Sequence, residues 1–144
     1  MKNISKLIVS IASVLIGMLL MPMMLFAAEG MLTGTGTESD PYIINTVNDF
    51  GIIQDGIKSG KSYKNKYFRL ESDIKLPTDW KPLGMLKEGV TDAGNGRNIL
   101  PFSGILDGNG HTLTFSKGSK PLFGYVRDAK VENLNIYGEY IDGY

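Results

Sequence analysis

Residues 102–115 read FSGILDGNGHTLTF. Two short apolar runs flank Asp107-Gly108-Asn109-Gly110-His111, which places an acid, an amide and the single histidine of the chain within five positions. Gly108 and Gly110 have access to positive φ without a Cβ penalty, and Asn109 tolerates the left-handed region. Asp107 is placed to accept hydrogen bonds from the amides that follow it. The stretch reads as a tight corner between two strands. Chemical readings of the same residues fail on their ligand count. A calcium loop starting at Asp107 needs an acid at its twelfth position, which is Gly118. Zinc needs several His or Cys ligands, and the chain has one His and no Cys. A nucleophile triad has no spare histidine. A glycosidase needs two facing carboxylates, for which Asp73, Asp107 and Asp128 are the candidates if successive turns of chain bring them together. No catalytic, cofactor-binding or metal-binding residue is assigned.

Upstream of that corner, the alternation in YFRLESDIKL puts Phe68, Leu70, Ile74 and Leu76 on one parity and Arg69, Glu71, Asp73 and Lys75 on the other. This predicts one strand, or two short strands meeting near Ser72, with one face buried. Before it, Asp40-Pro41 gives a turn and Tyr42-Ile43-Ile44 an extended run. Thr46 with Asp49 forms the sequence signature of a helix start, Val47, Phe50, Ile53 and Ile57 follow at helical spacing, and Gly60 suits the exit. Residues 29–45 are expected to be a flexible lead-in with a first strand, and 46–60 a short amphipathic helix. The G-x-G in GTGTES has Ser39 where a dinucleotide fingerprint needs its third glycine, and no helix follows at once. Residues 87–98 read as a polar loop projecting from the core. Beyond them, brief β-rich runs at 102–106, 112–115, 121–125 and 131–138 are each separated by Gly, Asn or Asp. The spacing predicts an all-β architecture, either a sandwich or a solenoid of short coiled strands.

The chain has 144 residues, enough for one modest domain, with 15 Lys+Arg against 15 Asp+Glu. Residues 1–28 begin with Lys2 and Lys6, continue almost without polarity from Leu7 to Phe26, and end Pro22…Ala27-Ala28. That order predicts a secretory signal peptide, with an uncleaved anchor as the other reading and the membrane reached only through it. Without those two lysines, thirteen cations face fifteen acids, and no basic block points to nucleic acid. The lack of cysteine excludes a disulfide framework and a lipid-attachment thiol.

In order, DPYIINTVNDF, SDIKL, DWKPLG, FSGILDGNGHTL and LFGYVRDAKVENLNI resemble the repeat region of bacterial surface proteins with GLUG-type motifs, over roughly residues 34–141. Such sequence also occurs in non-catalytic portions of IgA-protease-like metallopeptidases and in Gram-positive adhesins. The resemblance implies a right-handed parallel β-helix at 61–144, covered at its first coil by the helix. Phe68, Leu70, Ile74, Leu76, Leu106, Leu113, Leu134 and Ile136 would stack inside, with Trp80 in the core or at its rim. Asn133 would join a ladder of amides. The H-E-x-x-H zinc helix of the metallopeptidases is absent, so no peptidase activity follows. Residues 138–144, GEYIDGY, show no helix or polar cap, so either further coils of the same protein follow residue 144, the preferred expectation, or a partner covers the last coil.

These readings make the chain a secreted or cell-surface scaffold or adhesion module, non-catalytic, with an extracellular glycan or a host surface protein as partner. The loop at 86–100 is the main displayed feature. Tyr137, Tyr140 and Tyr144 read as packing near the last coil rather than as a glycan platform. The alternatives are a polysaccharide lyase or glycosidase, since β-helices host such enzymes by analogy of fold, and a spacer for a catalytic domain beyond residue 144.

Overall fold

Alternation in YFRLESDIKL does split at Ser72, and the two halves belong to different sheets. The structure, a computed structural model, describes residues 30–139. The expected signal peptide, with Tyr140 and Tyr144, lies outside the described residues. Strand β1 (Tyr42–Ile44) leads into helix α1 (Val47–Lys58). Then come β2 (Tyr67–Leu70), β3 (Ile74–Leu76), β4 (Met85–Leu86), β5 (Ile99–Leu100), β6 (Ile105–Asp107), β7 (Thr112–Phe115), β8 (Lys130–Glu132) and β9 (Asn135–Gly138). The chain is mostly β, with parallel sheets and one short helix.

Helix α1 starts where the local chemistry asks for it. Thr46 is extended, and the Asp49 carboxylate accepts from the amides of Asn45 (2.9 Å) and Thr46 (2.8 Å), which occupies donors that the helix leaves unpaired. Phe50, Ile53 and Ile57 are buried at helical spacing, and Gly60 leaves with φ +93°. The helix packs on β1 and β3, and the Phe50 ring meets Trp80 edge-on at 5.9 Å. The Trp80 indole N–H donates to the Pro121 carbonyl, so the ring is buried with its polar end paired.

All neighbours in the sheet β1-β2-β6-β8 are parallel, as are those in β3-β7-β9. Three times the chain passes from the first sheet to the second across a bend of two to four residues: β2 to β3, β6 to β7, β8 to β9. Single parallel bridges, Leu83 to Phe123 and Phe102 to Val126, add further contact lines. Among the described residues, only β4 and β5 are antiparallel; they form the base of the projecting 87–98 loop, a hairpin that sequence patterning did not single out. The Arg127 guanidinium donates to the Gly96 carbonyl and holds that loop back (2.9 Å).

Register turns the apolar parity into columns. Phe68 pairs with Leu106, and Leu106 with Val131; Ile74 pairs with Leu113, and Leu113 with Ile136. Phe68, Leu70, Ile74, Leu76, Leu106 and Leu113 are buried as expected, each such side chain stabilising by roughly 1.5–3 kcal/mol. Leu134 is only partly buried, and the expectation for Ile136 is corrected: it is 69% exposed. Ile136 keeps its place in the column, but β9 is the last strand of its sheet and no further strand covers it among the described residues. Val131 (44% exposed) likewise ends the Phe68-Leu106 column on β8, the outermost strand of the first sheet, and Val126 (53%) ends a third, shorter apolar line in which it is bridged to Phe102.

Candidate functional site

The corner at 107–111 works by backbone chemistry. Asp107 Oδ1 accepts from the Asn109 amide at 2.9 Å, and Asn109 (φ +49°) and Gly110 (φ +77°) occupy the left-handed region. Gly108 is needed for a different reason from the one its type suggests. It is not at positive φ; a Cβ there would lie 2.4 Å from the Leu134 Cα and 2.6 Å from the Asn133 carbonyl oxygen. The next bend passes directly against it.

Each bend also reaches back to the one before. Asn109 Nδ2 donates to the Leu70 carbonyl (3.2 Å), Asn133 Nδ2 to Asp107 Oδ1 (3.0 Å), and Asn135 Nδ2 to the Gly110 carbonyl (2.7 Å). The expected amide ladder therefore takes another form, because each asparagine finds a carboxylate or a carbonyl rather than another asparagine. His111 Nδ1 lies 3.2 Å from Asp73 Oδ1, which also accepts from the Thr112 amide at 2.9 Å. The Thr112 amide first, then His111, lowers the Asp73 carboxyl below its ordinary range. This pair joins residues 38 apart, beyond the reach of local pattern reading.

The three candidate carboxylates have separate partners. Asp73 is held by Thr112 and His111, Asp107 by Asn109 and Asn133, and Asp128 faces Lys64 across 3.7 Å. Among the described residues, no group of three or more His, Cys, Asp or Glu is arranged to hold a metal ion. On the outer face of the second sheet, Lys75 reaches across to Glu139, whose carboxyl it lowers.

A cleft of about 570 Å³ lies elsewhere, between the lead-in at 30–34, β1, α1 and the 61–66 turn. Tyr42 comes from β1, Ile52 from α1, and Tyr63, Lys61, Lys64 and Lys66 from the turn. Both tyrosine rings pack on Phe68 with centroids 5.4 Å away, Tyr42 tilted and Tyr63 edge-on. Tyr63 is held at φ +50°, a costly conformation for an aromatic residue. Its hydroxyl fits over Gly56, where a Cβ would come within 2.0 Å. Burial, then Tyr42, raises the Tyr63 phenol above its ordinary value and keeps it protonated. No Asp or Glu lines the cleft among the described residues. In sequence, residues 61–66 (KSYKNK) form one lysine-rich run, whereas Tyr42, the aromatic partner on β1, lies on the other side of α1 in the chain.

The lead-in wall of the cleft is hydrogen-bonded in place. The amides of Thr35, Gly36 and Thr37 all donate to the Asp40 carbonyl, the Ile43 amide to Thr33, and the Tyr67 amide to Gly36. No helix among the described residues is long and apolar enough to cross a membrane.

No family model matches the chain, and no solved structure matches it. An alignment 89 residues long, which covers 59% of the chain, is 36% identical to part of halomucin from Haloquadratum walsbyi. The matched region is 1% of halomucin, so the chain spans a very small part of that relative's length.

Proposed function

We propose that the chain is a secreted or cell-surface scaffold module, non-catalytic, whose strand pairs wind as a right-handed parallel β-helix and display loops for binding a glycan or a host surface protein. The carrying observation is the exposed end of the three apolar columns at Val126, Val131 and Ile136. Inward residues in register, left bare together, are what a stack presents where its next layer belongs. Right-handed winding follows from the general rule for parallel crossovers. The match to part of halomucin, a protein named as a mucin, supports an extracellular setting, as does the signal-peptide pattern of residues 1–28. Further coils of the same protein are the natural cover for the open end.

Two measurements test this reading. Trypsin added to intact producing cells is expected to cut at Lys87 and Arg97 in the projecting loop; cleavage only after lysis contradicts surface display. Fusing a second copy of residues 102–139 after Glu139 is expected to raise the urea midpoint, because stacked repeats add favourable interfaces. An unchanged midpoint contradicts the stacking.

A further inference from the structure

We infer that the cleft between Tyr42 and Tyr63 is a binding site for an acidic saccharide, a sugar unit carrying a carboxylate or a sulfate. This rests on the surface-module reading and adds a site and a ligand class to it. The cleft volume, about 570 Å³, lies within the roughly 300–1,000 Å³ usual for small-ligand sites and leaves room for one or two sugar rings. Two partly buried tyrosines supply flat apolar surface with a polar tip, at little cost in side-chain ordering because each has only two χ angles. A pyranose has one face made of C–H groups, which suits such a surface, and hydroxyls that suit a protonated phenol.

Charge selects among sugars. Three lysines line the cleft with no facing carboxylate among its lining residues. The Lys66 ammonium donates to the Thr35 carbonyl across a long 3.5 Å. Lys64 faces Asp128 at 3.7 Å, and both side chains are more than 60% exposed, so that pair is weak and exchangeable. Ammonium groups on flexible stems attract an anionic substituent without demanding one fixed geometry. A second concavity, about 360 Å³ beside Trp80, mixes Asp55 and Asp79 with Lys81 and selects neither sign. A nucleic acid would need a longer basic track than one cleft.

The test is an NMR titration of the full chain in zwitterionic detergent, following the tyrosine ring protons. The probes are trigalacturonate, a sulfated trisaccharide, neutral maltotriose and hexaglutamate. Saturable binding of at least one acidic sugar with shifts at Tyr42 and Tyr63 is expected, and the tighter of the two tells carboxylate from sulfate. Maltotriose and hexaglutamate are expected to bind at least tenfold more weakly. The pair Lys61→Gln/Lys64→Gln is expected to weaken acidic-sugar binding about tenfold, whereas Lys87→Gln/Lys120→Gln, equal in charge but remote, changes it less than twofold. No saturable binding of either acidic sugar overturns the inference. So do equal losses in both variants, or hexaglutamate binding as tightly as the sugars. Failure here leaves the trypsin and repeat-fusion results untouched, so the two readings fall separately.

Discussion

The two ends of the sheets are built from the same parity of residues and differ in what lies beyond them. At one end, β1 extends the first sheet and α1 packs over β3, so Ile44, Leu70 and Ile74 are all buried. At the other, β8 and β9 are the outermost strands, and Val126, Val131 and Ile136 stand in the columns with about half or more of their surface bare. Register places a side chain in a column, whereas burial requires a neighbour on both sides. The largest mutational contrast should follow from that difference. Leu113→Ala, in mid-column, is expected to lose about 2–5 kcal/mol by urea unfolding. A loss below about 1 kcal/mol would mean that the Ile74-Leu113-Ile136 column is not packed.

Next in size is Gly108→Ala. The Cβ would press on the Leu134 and Asn133 backbone, which cannot rotate away, at an expected cost of about 1–3 kcal/mol. Gly110→Ala probes the other mechanism at the same corner, positive φ with open space around it, and should cost about 1 kcal/mol. Equal, negligible effects at both positions would break the distinction between a crowded glycine and a left-handed one. At the closed end, Asp49→Ala should remove on the order of 1 kcal/mol by releasing the amides of Asn45 and Thr46.

Acid acts on both ends of the second sheet through exposed groups. Asp73 and Glu139 have folded-state values below their ordinary ones, so their contribution is present above the ordinary carboxylate range and is lost as pH falls through the lowered folded values. The urea midpoint should therefore fall modestly on acidification below about pH 4, and the fall should be shallower in Asp73→Asn. A midpoint that rises on acidification would reverse the sign. Smallest of all, Ile136→Ala should change stability by no more than about 0.5 kcal/mol, as for other exposed positions. A loss matching Leu113→Ala would show that the open end is covered.

The sequence disclosed what depends on near neighbours. Thr46 and Asp49 announce the helix, Asp107 and Asn109 the corner, and the parity of Phe68 to Leu76 the buried face, because each signal spans a few residues. Division at Ser72 was open as one of two readings, since alternation runs unbroken across a bend whose residue count preserves parity. What stayed hidden depends on partners far along the chain. Ser72 donates to the Asn45 carbonyl, His111 meets Asp73, and Gly108 is crowded by Leu134; none of these follows from local pattern. The cleft is of the same kind: its lysines form one visible run, while Tyr42 arrives from a strand before the helix. Ile136 shows the converse, an inward parity read correctly with its burial inferred from a neighbour that the described residues do not supply.

Parallel stacking in register is tested most directly by methyl–methyl nuclear Overhauser contacts at Leu113. A Leu113 methyl should show contacts to methyls of both Ile74 and Ile136, and a Leu106 methyl to the Phe68 ring protons and the Val131 methyls, with none between Ile74 and Ile136. Contacts of Leu113 to residues of the first sheet alone, or an Ile136 methyl without a Leu113 partner, would contradict the columns and the module built on them.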